Sequence, residues 1–229
     1  MRLRPFFSYY GSKWRLAPKY SKPKFDTIIE PFAGSASYSL LYPKRKVKLI
    51  DIDDNICVLW EYLINVKEKE IRALPLLERN EPIPTHLSQG AKNLIGFWTT
   101  KGSSTPAHKM TAYKNISCGF WGESIRERVA EQLEAIRHWT IQQTSYEKIE
   151  DQEATWFIDP PYQSGGQYYR MSNKKINYQL LGDWCKSRDG QSIVCENGTA
   201  EWLPFSDFKS TRGITKITKE LIWEMNFTR

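Results

Sequence analysis

The chain has 229 residues, 40% of them hydrophobic and 26% charged, with a formal net charge of +7. That length makes one domain with room for an insertion, and no run approaches the roughly 18 apolar residues of a membrane span. Four cysteines (57, 118, 185, 195) form no CxxC pair and no ladder with the three histidines, which argues against disulfides and against any metal site.

The opening MRLRPFFSYYG is basic then aromatic and has no apolar core of signal-peptide length, so a soluble, cytoplasmic protein is expected. Residues 1–48 hold eleven Lys and Arg against two acids, leaving the remainder slightly acidic. A segment this basic is a candidate phosphate-binding surface, with Lys44, Arg45 and Lys46 its densest run. A solvated basic face with no partner is the plainer reading.

In chain order, FDTIIEPFAGSASYSLLY (25–42) has the pattern strand, loop, helix, broken by Pro31 and Gly34, with Ser35 or Ser37 as a cap. KVKLIDID (46–53) is a second strand ending in acids. Residues 54–74 form an amphipathic helix with Ile56, Leu59, Leu63 and Val66 at helical spacing. Strand, loop, helix, strand, acid is the opening βαβ of a doubly wound sheet. From 75 to 123 prolines, glycines and hydroxyl residues break any long period, and an irregular insertion with short helices is expected. Helical spacing returns over 123–139. Strands follow at 140–146 and at TWFID (155–159), a helix at 175–189, a strand at 191–197 and two strands within 206–226 around Gly213. The sum is an α/β fold with about seven strands and helices on both faces.

Three motifs carry chemistry. EPFAGSAS places a glycine in a tight strand-to-helix turn, where backbone N–H groups approach a ligand, but it lacks the GxGxxG of a pyrophosphate site. Asp51 and Asp53 end the second strand, where an acid bonds ribose hydroxyls in nucleotide-binding folds; a solvated strand end with Asp53 or Asp54 capping the next helix is the alternative. In WFIDPPYQ, Asp159 sits at the carboxyl end of a buried strand, and two prolines stop the strand and stiffen the loop. The histidines and nine tryptophans fit packing or solvent roles.

In this order the motifs resemble DNA adenine-N6 methyltransferases, and within them the small Dam-like branch (D12 class, alpha group). FFSYYGSK, WFIDPPYQSGGQYY and QSIVCEN with LIWEMN support the resemblance over nearly the whole chain. It implies a Rossmann-like S-adenosylmethionine-dependent methyltransferase fold, with 1–74 and 124–229 as the catalytic domain and 75–123 as an inserted target-recognition region. It further implies that Tyr9 and Lys13 lie at the cofactor, that Phe32, Ala33 and Gly34 shape its methionine pocket, and that Asp51 and Ile52 meet its nucleoside. Asp159, Pro160, Pro161 and Tyr162 should hold the target base, with Asp159 also near the cofactor. Lys101, Lys109, Lys114 and Asn115 are the candidate DNA contacts. Double-stranded DNA is the expected partner, in a bacterial cell or a phage-infected host. A cognate restriction enzyme is a candidate second partner, and the oligomeric state stays open. Where the family often has a second glycine this chain has Ala36, which fits if its φ is negative.

The alternatives weighed are an enzyme acting on cytosine N4 or an RNA adenine, and a catalytically silent DNA-binding module. The intact Asp159, Pro160, Tyr162, Asp51 and Gly34 argue against the last.

Overall fold

A computed structural model describes residues 2–100, 102–111, 119–212 and 217–227. The strands are β1 (Thr27–Glu30), β2 (Lys46–Asp51), β3 (Thr140–Gln143), β4 (Ala154–Ile158), β5 (Gly190–Asn197), β6 (Ser206–Arg212) and β7 (Ile217–Phe227). The helices are α1 (Asp54–Asn65), α2 (Glu68–Arg72), α3 (Gln89–Thr99), α4 (Glu123–Gln132) and α5 (Tyr178–Lys186), with short 3-10 turns between them.

One seven-stranded sheet runs β3-β2-β1-β4-β5-β7-β6. Its first five strands are parallel, and β7 runs antiparallel to both neighbours. Chain order therefore reverses between β1 and β4. In open α/β sheets ligands bind at that switch point, outside the carboxyl ends of the strands. The ends of β1, β2 and β4 are Glu30, Asp51 and Ile158, so the two acid-bearing motifs converge on it.

Side chains of β4 alternate between the two cores, as period-two geometry requires. Phe157 joins Ile28, Val47 and Leu49 beneath α1, α3 and α4, while Trp156 and Ile158 join Ile29, Ile50 and Val194 against α5, Trp202 and Leu203. All five residues of β4 are buried, which explains its near-continuous apolar sequence.

Four details depart from the sequence reading. No α-helix follows β1; a 3-10 turn at Ser39–Leu41 takes its place, and the buried Glu30 carboxylate accepts the Ser39 N–H at 2.8 Å. Neither Ser35 nor Ser37 caps a helix. Residues 54–74 make two helices, because Val66 and Lys67 turn extended at the end of α1. The strand expected over 140–146 stops at Gln143 and gives way to a 3-10 turn at Tyr146–Lys148.

The fourth departure is in 75–123, which contains an 11-residue helix, α3, buried along nearly its whole length against α1. Its N-cap Ser88 accepts the Ala91 N–H, and buried Asn93 donates to the Asn55 carbonyl at 3.0 Å. Small residues let its surroundings close in: a Cβ at Gly96 would stand 2.5 Å from the Ala107 carbonyl. Part of this region is thus main core, which the scattered prolines concealed.

Candidate active site

The turn after β1 is built around left-handed backbone. Gly34 has φ +43 and Ala36 φ +49. The condition attached to Ala36 is therefore not met, and an alanine occupies a conformation that glycine adopts without cost. The turn is pinned on three sides. The Gly34 N–H donates to Asp51 Oδ2 at 3.0 Å, the Trp60 indole donates to the Gly34 carbonyl at 2.8 Å, and the Tyr9 ring covers the glycine so closely that a Cβ there would meet Cε1 at 3.1 Å. Ser35 and Ser37 do a different job from capping. Their hydroxyls form a mutual cluster with Ser12, at 2.9–3.1 Å, which fastens the N-terminal segment to the turn.

Asp51 divides its carboxylate between the Gly34 N–H and the Asp53 N–H, the latter at 2.9 Å from Oδ1. Burial pushes its pKa up to about 6, and those backbone donors limit the rise. Asp53 is the N-cap of α1, accepting the Asn55 N–H at 2.9 Å, and is almost fully buried.

Beyond β4, Asp159 emerges with its Oδ1 out of solvent. The Lys13 ammonium lies 2.9 Å away, yet that oxygen has no well-aligned hydrogen bond. Burial raises the Asp159 carboxyl above the ordinary range, Lys13 pulls it back down, and Glu220 adds to the rise. Burial alone would lower the pKa of Lys13, but Asp159 and Glu220 outweigh it and hold the ammonium above its usual value. Lys13 also lies 4.5 Å over the Tyr162 ring. Pro160 is buried, and the Pro161 carbonyl accepts the Tyr178 hydroxyl at 2.5 Å, so the loop is held from behind.

Residues 163–177 form a strap over this region. Gly166 at its base leaves no room for a side chain, since a Cβ would come within 3.0 Å of the Pro161 backbone. Tyr169 packs its ring against those of Tyr9 and Tyr10. Arg170 crosses to the buried Asp53 at 2.6 Å and also meets Asp54. Beneath the strap lies a cavity of about 120 Å³ that opens to solvent. It is lined by Tyr9, Lys13, Phe32, Ala33, Gly34, Asp51, Ile52 and Asp159 among others. The structure thus brings together every residue assigned to the cofactor, with Asp159 and Pro161 of the base-holding set.

The insertion reaches the same place through residues that sequence did not single out. The Tyr10 N–H donates to the Ser103 carbonyl at 3.1 Å, and the Ser104 hydroxyl donates to the Tyr168 carbonyl at 2.7 Å. Lys109 is exposed and bridges to Pro82, whereas Lys101, Lys114 and Asn115 lie outside the described residues. The run Lys44–Lys46 stands at the amino end of β2, five residues and thus roughly 16 Å from the Asp51 end. It is therefore far from the cavity.

Three further residues belong to the site. Glu30 lines the cavity with its pKa pushed up to about 8 by burial, against the opposing hydrogen bonds from Ser39. Glu196 on β5 accepts the Gln163 N–H at 3.1 Å and the Trp202 indole at 3.0 Å, anchoring the start of the strap. Glu220 on β7 meets Tyr162, Tyr20 and Lys13. Each is an acid on a core-facing strand position. In β7, Glu220 shares a face with the buried Ile222, and its place beside the apolar run Leu221–Ile222 was the available signal.

The 3-2-1-4-5 parallel order with its reversed seventh strand, and a cavity joining a glycine turn to two strand-end aspartates, are those of the Rossmann-like methyltransferase fold. Residues 9–86 match the family model described as D12 class N6 adenine-specific DNA methyltransferase, and this match supports an adenine-specific DNA methyltransferase activity. No curated protein matches the sequence. Among solved structures, a conserved hypothetical protein from Streptococcus pyogenes is 11% identical with a TM-score of 0.38, covering 94% of this chain and 92% of that one. A protein from Haemophilus influenzae described as a candidate methylase is 13% identical with a TM-score of 0.37, covering 93% of this chain and 85% of that one. Scores this low add nothing to the fold already described. No helix among the described residues is long and apolar enough to cross a membrane.

Proposed function

We propose that the chain takes its methyl group from S-adenosylmethionine and places it on N6 of an adenine flipped out of double-stranded DNA at a short specific sequence. The observation carrying this reading is Asp159. Its Oδ1 is out of solvent, ion-paired with Lys13 at 2.9 Å, and belongs to the same cavity as Asp51 and the Gly34 turn.

The residues lining the cavity support this cofactor. Asp51 accepts the Gly34 and Asp53 N–H groups with the Ile52 N–H also close, and a carboxylate offers about four acceptor positions, so capacity remains for a ribose hydroxyl. Phe32, Ile52 and Ile176 supply apolar wall. When bound, S-adenosylmethionine supplies an electrophilic methyl on a sulfonium whose leaving group is a neutral thioether. Asp159 accepts one N6 proton and the Pro160 carbonyl the other, which favours a pyramidal nitrogen with an available lone pair. Prolines fix both acceptors before the base arrives, and such preorganisation is where much catalytic stabilisation originates. Tyr162 offers a stacking surface for the flipped base. Held by Asp51, Phe32 and the Gly34 turn, the cofactor would supply the methyl carbon, and its thioether would leave with the bonding electron pair. The cationic N6 then sheds a proton past Asp159 to water. Lys109 from the insertion, with Lys101, Lys114 and Asn115, meets the duplex, and the reaction takes place in the cytoplasm.

The test is Asp159→Ala assayed with labelled cofactor on unmethylated genomic DNA, followed by nucleoside analysis. Loss of N6-methyladenine by about 100-fold or more, with cofactor affinity by calorimetry changed only a few-fold, is expected. A variant that still methylates, or that loses cofactor affinity altogether, contradicts the assignment. N4-methylcytosine as the wild-type product would redirect the reading to cytosine.

A further inference from the structure

The Lys13 ammonium has three N–H donors and three acceptors around it: Asp159 Oδ1 at 2.9 Å, the Gly11 carbonyl at 3.2 Å and Glu220 Oε1 at 3.6 Å. Glu220 is 4% exposed and also accepts the hydroxyls of Tyr20, at 3.2 Å, and Tyr162. Lys13 is itself 7% exposed, so one cation is shared by two carboxylates in a largely dry site. Surplus negative charge held out of water is costly unless something positive or strongly donating arrives to meet it.

The arrangement also poses a steric question. The atom best placed to receive an N6 proton, Asp159 Oδ1, already faces Lys13. A target amine approaching it must share that oxygen or displace the ammonium. Among the described residues, Glu220 is the second carboxylate that pairs with this ammonium, and it can take the ammonium over after a movement of under about 1 Å on these distances.

We propose that Glu220 is a positioning residue for methyl transfer: as the target adenine enters, it draws Lys13 from Asp159, freeing that carboxylate for the N6 proton, while its bond from Tyr162 fixes the stacking ring. This rests on the role given to Asp159 above. Glu220 touches neither base nor cofactor and acts through Lys13 and Tyr162. The charge does the work on Lys13, and the carbonyl-type oxygen does the work on the tyrosines, so the two can be separated. Glutamine keeps an acceptor for both phenols and removes the charge.

Three variants of the full chain are compared: Glu220→Gln, Glu220→Asp and Asp159→Asn. For each, the single-turnover methylation rate on duplex DNA, the cofactor Kd and the Tm are measured. Glu220→Gln should lower the rate about tenfold or more with cofactor Kd within about twofold, and its Tm should hold or rise because a buried charge is gone. Glu220→Asp keeps the charge and should return the rate to within about threefold of wild type. The proposal is overturned if Glu220→Gln transfers at the wild-type rate, fails to fold or loses cofactor binding, or if aspartate is as slow as glutamine. Activity retained by Asp159→Asn would instead bring down the reading of Asp159 itself.

Discussion

Arg170 holds Asp53 through two nitrogens: Nε lies 3.0 and 3.1 Å from the two carboxylate oxygens, and Nη2 lies 2.6 Å from Oδ1. The pair joins the strap that follows the DPPY loop to the N-cap of α1 on the opposite side of the cavity. Asp53 is already committed to capping α1, so the strap is tied to a fixed point. A forked arginine on a carboxylate is among the stronger polar contacts.

Arg170→Ala should therefore loosen the cover without altering the chemistry beneath it. Cofactor dissociation, followed by stopped-flow fluorescence, is expected to quicken about five- to thirty-fold, the equivalent of about 1–2 kcal/mol. The transfer rate at saturating cofactor should stay within about threefold. An unchanged dissociation rate would mean the strap does not restrain the cofactor.

Asp51 gives a pH signature. Its carboxyl is pushed up to about 6, and only the ionised form presents acceptors to ribose hydroxyls on both oxygens. Cofactor affinity should be level above about pH 7 and weaken as pH falls through 6, approaching tenfold per unit below it. Asp51→Asn should bind weakly with no such slope. Wild-type affinity that is flat between pH 5 and 8, measured by calorimetry, would remove Asp51 from the ribose.

Ala36 tests how costly the missing glycine is. A left-handed conformation costs an L-residue about 1–2 kcal/mol. Against that, glycine loses about 0.5–1 kcal/mol more on folding, and the buried methyl contributes about 0.8 kcal/mol. Ala36→Gly should therefore change unfolding free energy by less than about 1 kcal/mol. Ala36→Val should destabilise by about 3 kcal/mol or more, because a branched side chain must enter a buried left-handed position. Chemical denaturation distinguishes these outcomes, and a valine variant as stable as wild type would disprove the strain.

Basic residues near and far from the cavity should differ in their effect on DNA. Lys44, Arg45 and Lys46 stand at the wrong end of β2, so replacing all three with glutamine should leave the slope of log affinity against log salt unchanged. Lys174 and Lys175 are exposed on the strap, and Lys175 lines the cavity. Replacing both should flatten the slope by about one to two units. The reverse pattern would move the duplex to the amino ends of the parallel strands.

The parts of this protein legible in sequence are those written locally. β4 declares itself by an unbroken apolar run that stops at Asp159 and two prolines, and β2 by the acids at its end. The turn after β1 was legible as a tight loop, but its sequel was not, since SASYSLLY suits a helix and only the tertiary claims on Ser35, Ser37 and Ser39 prevent one. α3 was missed because its glycines, which look like breakers, are where Tyr62 and Ala107 press closest. The acids Glu30, Glu196 and Glu220 were missed for a related reason. Each is ordinary in its own segment and becomes part of a site only when distant strands come side by side.

That last point bears on how the enzyme comes into being. Lys13, from the thirteenth position, is balanced by Glu220 on β7, and β7 is also the strand that closes β5. Until the ribosome has released β7, the nascent chain can shape the glycine turn and the first strands but leaves Lys13 and Tyr162 without the carboxylate that steadies them. Premature termination before residue 217 would therefore leave most of the cofactor pocket's residues in the polypeptide but no complete transfer site.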